Sequence, residues 1–220
     1  MWAMSTTSAR PYRGQSAEER RAARRVALLD AALEVVADKG WNSTTVRDVC
    51  QSAKLTERYF YEAFGDRQGV LLALFDHVAH EVTVLVLDAV KTAPEDATER
   101  SRATIGAFVD ALADDPRRMR ILITEAPDDA ALQERRRFAV LAFARLLQQQ
   151  AEAFYGVPGG NKDAELTSHV LVGGFGQLLM AWQLGDVEVS RERLVDHVSK
   201  LFVAAAPVRS GDQSSSTAAR

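Results

Sequence analysis

The sequence predicts an all-α chain of about nine helices, on three observations. Apolar residues recur at helical spacing along almost its whole length, and no stretch alternates well enough to propose a strand. Gly40, Gly65, Pro94, Pro116 and Pro127 punctuate the periodic segments at intervals a helix can fill. Two short segments joined by a tight turn stand just ahead of a long one, the layout of a helix-turn-helix. With 220 residues, 47% hydrophobic and 26% charged, the chain can bury one ordinary core and a small satellite.

Each element has its own signal. The first helix runs from Ala17 to Lys39, with Val26, Leu29, Leu33 and Val36 as its apolar stripe, and Gly40 stands where a left-handed cap is easiest. Trp41 folds back as the hydrophobic contact after that cap. The basic start, "ERRAARR", is read either as a DNA-backbone contact or as a solvated face. Thr45, with Asp48 three residues on, opens a short second helix in the manner of a capping box, and Val46 and Val49 face inward. A turn at about 52–55 leads to Thr56, the expected cap of a third helix, "ERYFYEA", which Phe64-Gly65-Asp66 breaks before a long helix over 67–92. Helices are expected next at about 96–114, from about 117 to Pro127, and over 128–155. The loop "GVPGGNKD" is the clearest break in the second half, and helices at about 164–184 and 191–205 close the fold. The expected domains are 17–66 and 67–206, flanked by a disordered basic arm, 1–16, and a disordered tail, 207–220.

Composition removes several functions. The net charge of −3 argues against indiscriminate nucleic-acid binding, but residues 1–67 hold 11 basic against 9 acidic side chains and residues 68–220 hold 16 against 21. The first third is therefore the expected DNA face. The longest apolar runs are interrupted by charge or fall short of the roughly 18 residues of a membrane span, and no secretion signal is evident, so a cytoplasmic protein is expected. A single cysteine, Cys50, leaves no internal disulfide. His77 and His80 lie one turn apart without a suitably spaced third ligand, so no metal or other cofactor is expected. No serine, cysteine or histidine sits in a recognisable catalytic motif, so an enzyme is not expected.

The segment "TTVRDVCQSAKLTERYFYEAFGDR" carries the chemistry. In a helix-turn-helix the second short helix enters the major groove and presents its N-terminal side chains to base edges. Phe60 and Phe64, four apart, share a face and anchor that helix, while Tyr59 and Tyr61 project elsewhere. A tyrosine hydroxyl at the groove edge can donate to a phosphate, and Arg58 can give bidentate hydrogen bonds to guanine unless Glu57 diverts it.

From about Ala23 to Leu74, on the matching residues "ALLDAALEVVADKGWNSTTVRDVCQSAKLTERYFYEAFGDRQGVLLALF" (27–75), the chain resembles the DNA-binding domain of the TetR (tetracycline repressor) family of transcriptional regulators. The resemblance implies that Thr45, Tyr61 and Arg67 grip phosphates and that Thr56, Glu57, Arg58 and Tyr59 face bases, with Arg47 taken among the DNA contacts. Three positions depart from the family pattern. Lys54 stands where the turn usually has a glycine, and it offsets the strained backbone with a phosphate contact. Ala63 replaces a residue that often touches phosphate, and Cys50 a common alanine.

Beyond about Phe75 the resemblance implies a helical domain for ligand binding and dimerisation. Gly173, Gly174 and Gly176 lie inside a helix, where each costs about 1 kcal/mol against alanine, so close approach to the backbone is expected, from the same protomer, a dimer partner or a ligand. The last two helices are amphipathic enough for a symmetric dimer interface. The candidate pocket walls are Phe108, Phe138, Leu141, Phe175 and Trp182, with His169 and Gln177 as polar anchors, and "ERRRF" at 134–138 is read as a solvated edge. The expected function is a dimeric regulator, a repressor of a palindromic operator, released by a small apolar or amphipathic effector. The alternative is a helical protein-binding adaptor without operator binding.

Overall fold

A computed structural model describes residues 16–155 and 161–205; the expected arm and tail, and the start of the "GVPGGNKD" loop, lie outside these. Among the described residues every regular element is helical: α1 Ala17–Lys39, α2 Val46–Ala53, α3 Glu57–Phe64, α4 Arg67–Thr92, α5 Ala97–Ala113, α6 Pro116–Met119, α7 Ala130–Tyr155, α8 Lys162–Leu184 and α9 Arg191–Ala204. A 3-10 turn, Trp41–Ser43, follows α1, and a π turn, Arg120–Thr124, follows α6.

Local chemistry sets most of the boundaries. Ser16 and Glu19 form a reciprocal capping box on α1, and Thr45 and Asp48 do the same on α2. Gly40 takes φ 79°, a conformation costly for a residue with a Cβ, and ends α1. Asp66, Asp96, Asn161 and Ser190 each accept a backbone N–H in the first turn of the helix they precede. Lys54 caps α2 in the left-handed conformation, φ 54°, ψ 37°. Two expectations need correction. Thr56 holds the N-cap position of α3 but its side chain makes no capping bond. The helix expected up to Pro127 is α-helical only to Met119. It then widens into the π turn, closed by a hydrogen bond from Glu125 N to Arg120 O at 2.8 Å, and Ala126 takes φ 46° just before the proline.

The helices bury two apolar clusters. The first gathers α1, α2 and α3 onto the N-terminal half of α4 around Leu28, Val36, Phe60 and Leu71, and it also receives Ile121, Ala126 and Leu132 from the second half of the chain. The second joins Val82 and Val86 of α4 to Val109 and Leu112 of α5, Leu179 of α8 and Val198 of α9. α4 thus runs through both. It is also 26 residues long with a window of hydropathy 1.8, enough by length and composition to cross a membrane, contrary to the expectation that apolar runs fall short; Val70, Val78, Val82 and Val86 are instead buried in the two clusters.

Beside the first cluster, Glu125 is buried and ties the end of α1 to the π turn. Its carboxylate accepts from Trp41 N at 2.7 Å and from Arg120 Nε at 2.6 Å, while a terminal nitrogen of Arg120 donates to Ala37 O at 2.8 Å near the end of α1. Arg136 of α7 holds the same segment from the other side, donating to the carbonyls of Leu122 at 2.9 Å, Ile121 at 3.1 Å and Glu125 at 2.6 Å.

Two substitutions test this description. Glu125→Ala removes the acceptor of a buried N–H and is expected to cost about 1–3 kcal/mol, a fall in Tm of about 2–4 °C for each kcal/mol. Glu125→Gln, which keeps an acceptor oxygen, is expected to cost less, and equal melting of both with the parent would remove the bridge from the stability of the fold. Lys54→Gly relieves a left-handed lysine and is expected to gain about 0.5–1 kcal/mol net of the entropy glycine adds to the unfolded chain. A lowered Tm would show that Lys54 makes compensating contacts.

Candidate DNA-binding face and internal cavity

α2, the turn at Lys54 and α3 form a helix-turn-helix backed by the first apolar cluster. Leu55 N donates to Cys50 O at 3.0 Å across the turn, and burial pushes the thiol of Cys50 up from its ordinary range. Phe60 is fully buried and packs on Phe64 at 5.5 Å between ring centroids, so this pair holds α3 down and its other faces look outward. Thr45, Arg47, Lys54, Thr56, Glu57, Arg58 and Tyr61 are all exposed on this unit, and Tyr59 is half-buried.

The electrostatics of the face differ in detail from expectation. Arg58 has 82% of its side chain exposed, and its partner is Glu62 one turn on, Nε to carboxylate 2.8 Å, rather than Glu57. Tyr59 lies beneath the guanidinium of Arg24, 4.4 Å from the ring centroid, and Arg25 stacks on Phe64 at 4.8 Å. The basic start of α1 is thereby drawn against α3. Thr45 is engaged with Asp48, whose carboxyl is held at about 2 by the Lys39 ammonium 2.5 Å away and by Thr45 itself. Arg67 requires a correction. Expected to grip a phosphate, it turns onto the protein, donating to Thr44 O at 2.8 Å and to Trp41 O, with its guanidinium 4.0 Å from the Trp41 ring centroid. It clamps the loop between α1 and α2 by giving Thr44 O a donor and Trp41 O a second one beside Thr44 N.

The second site is a cavity of about 860 Å3 between α4, α5, α7 and α8, reaching the C-terminal end of α9. Its wall is mainly apolar and carries a chain of phenylalanines: Phe108 meets Phe143 at 5.4 Å and Phe175 at 5.6 Å, and Phe175 meets Phe202 at 6.1 Å. Of the residues expected to line a pocket, Phe108, Phe175 and Gln177 do so. Phe138 is instead 53% exposed and stacked under Arg137, His169 is bonded to the Glu165 carbonyl at 2.8 Å, Trp182 Nε1 donates to Val189 O at 3.0 Å, and Leu141 lies outside the wall. The pitch of α8 turns His169 and Trp182 away from the wall, and that of α7 turns Leu141 away.

Phe143, Phe202 and Arg136 line the cavity without having been singled out from the sequence. Arg136 was legible in principle. Leu132, Arg136, Ala139 and Phe143 share one stripe of α7, and Leu132 is fully buried, so the middle arginine of "ERRRF" had to turn inward. Gly173 and Gly176 also belong to the wall, whereas Gly174 is exposed on the outer side of α8. A Cβ built at any of the three meets no atom of the protomer within 4 Å, so packing within the protomer does not explain them.

Comparison with known proteins places this geometry. The family described as "bacterial regulatory proteins, tetR family" matches residues 28–74, which cover most of α1, all of α2 and α3 and the start of α4. The HTH-type transcriptional regulator BetI of Burkholderia ambifaria is 31% identical over 87 residues, 40% of this chain, so the match spans 45% of that relative's length. A transcriptional regulator FadR from Bacillus subtilis, solved with stearoyl-CoA, superposes with a TM-score of 0.68 at 18% identity over 82% of this chain and 98% of that one. A TetR-like transcriptional regulator from Rhodococcus sp. RHA1 superposes with a TM-score of 0.61 at 19% identity, covering 84% and 94%. The last two likenesses are of fold, and the first two of sequence, the family match lying in the helix-turn-helix region. Residues 28–74 thus match the tetR family of bacterial regulatory proteins in sequence, and the chain shares its fold with solved regulators over more than four fifths of its length.

Proposed function

We propose that the chain is a transcriptional regulator of the tetR family, a cytoplasmic homodimer that represses a palindromic operator and leaves it when a long amphipathic molecule fills the cavity. The observation that carries the reading is the position of that cavity. It lies against Phe75, Val82 and Val86 of α4, the helix whose other end is packed into the helix-turn-helix. Its volume is within the ~300–1,000 Å3 range of ligand sites, and its phenylalanine chain suits an extended apolar tail. The stearoyl-CoA bound by the FadR of similar fold supports a long-chain acyl compound as the effector class.

Two recognition helices must reach successive major grooves about 34–36 Å apart, so a dimer is part of the proposal. Helix α8 supplies the surface: Leu166 is 65% and Val170 73% exposed, and with Gly174 they follow one another at intervals of four. A partner helix against that stripe would cover them and explain Gly174. On DNA, Arg58 and the start of α3, with Thr56, Glu57 and Tyr59, read bases; Thr45, Arg47, Lys54 and Tyr61 meet the backbone. Arg67 positions the unit from behind.

Three results are expected. Sedimentation at micromolar concentration gives a dimer. In gel shifts on a palindrome selected from random duplexes, Arg58→Ala costs about 1–3 kcal/mol, or roughly 5–150-fold, at the preferred site and little elsewhere, whereas Arg47→Ala weakens all duplexes alike. Stearoyl-CoA raises Tm and weakens operator binding. A protein that shifts no duplex would favour the protein-binding adaptor, and one stabilised only by compact, highly charged ligands would move the effector site elsewhere.

A further inference from the structure

Resting on the cavity reading above, we propose that Arg136 recognises an anionic, carboxylate-like head on the cavity's ligand, and that drawing its guanidinium off the backbone passes the signal to the DNA-binding domain. The cavity wall is apolar, yet Arg136 stands in it with no carboxylate within ion-pair distance among the described residues. Its hydrogen-bond acceptors are the neutral carbonyls of Ile121, Leu122 and Glu125. Burial of this half-buried cation, hydrogen-bonded only to dipoles, pushes its pKa below the ordinary arginine value, and the more distant carboxylates of Glu125 and Asp129 offset that only in part. A carboxylate arriving from the cavity offers what the carbonyls cannot, a charge-assisted and potentially bidentate pair. The neighbouring Arg137 is already matched by Glu134 at 3.8 Å and stacked on Phe138.

The consequence follows from what Arg136 holds. Its three carbonyls belong to the π turn and to Glu125, whose carboxylate takes Trp41 N, and Arg120 of the same turn reaches Ala37 O. Withdrawing the guanidinium removes the donors from these carbonyls and frees the segment that fixes the end of α1. A ligand with a long tail and no charge fills the same cavity but leaves Arg136 on the backbone.

The test uses the full-length dimer and two probes with the same chain, palmitate and its methyl ester, with binding read by calorimetry and operator release by gel shift. The parent protein is expected to bind palmitate at least about tenfold more tightly than the ester, the lower end for hydrogen bonds to a charged group. Arg136→Met, similar in length and uncharged, is expected to abolish that preference while keeping ester affinity within about threefold, and to lose palmitate-driven release; Arg136→Lys restores part of both. Should Arg136→Met not fold, the preference of the parent and its reduction in Arg136→Lys decide. Equal binding of the two probes by the parent, or a preference retained without the arginine, overturns the proposal. Binding of stearoyl-CoA but of neither probe overturns it while leaving the cavity reading intact; binding of no long-chain compound ends both.

Discussion

A carboxylate buried against an apolar cluster must be answered by donors, and Glu125 is answered from both halves of the chain. Moving such a charge out of water costs several kcal/mol unless its oxygens are well satisfied. Trp41 N supplies one bond from beyond the end of α1, and Arg120 supplies the other from the π turn while also reaching Ala37 O. The helices α1 to α3 are a small unit whose core is completed by Ile121, Ala126 and Leu132 from the second half. The orientation of the helix-turn-helix is therefore tied to the wall of the cavity by a few directional bonds as well as by shapeless apolar contact.

Helix α4 is the second tie. Val70, Leu71, Leu74 and Val78 pack into the first cluster and Val82 and Val86 into the second, so the helix cannot tilt without disturbing both. A ligand moves such an assembly only by binding one arrangement better than another. The phenylalanines that line the cavity give affinity for an apolar tail in either arrangement, whereas Arg136 is a group whose partners change. This division, apolar surface for affinity and the half-buried Arg136 for response, is how the proposed regulator would separate holding a ligand from acting on it.

The sequence made the local features legible and left the distant ones hidden. Helix ends followed from Gly40, Thr45 with Asp48, Asp66 and Pro116, because a cap is written within four residues. The inward turn of Phe60 and Phe64 followed from their spacing. Arg67 was misplaced because its partners, Thr44 and Trp41, lie more than twenty residues away in the chain and are backbone carbonyls, which no residue pattern records. The pairing of Arg58 with Glu62 was within reach at one helical turn; the nearer Glu57 drew attention first. For the cavity, helical pitch decided which apolar residues face inward. Trp182 and His169 sit on α8 beside wall residues yet point elsewhere, and only the packing of α7 against α8 settles which side is which.

In the proposed mechanism, occupancy of the cavity is felt at the end of α1 through Glu125. Hydrogen exchange at the Trp41 amide reads that contact directly, since this N–H is protected by the Glu125 carboxylate rather than by a helix. A saturating long-chain carboxylate is expected to slow exchange in the helices around the cavity while speeding exchange at Trp41 and across 120–125. Slowed exchange around the cavity with an unchanged rate at Trp41 would contradict it.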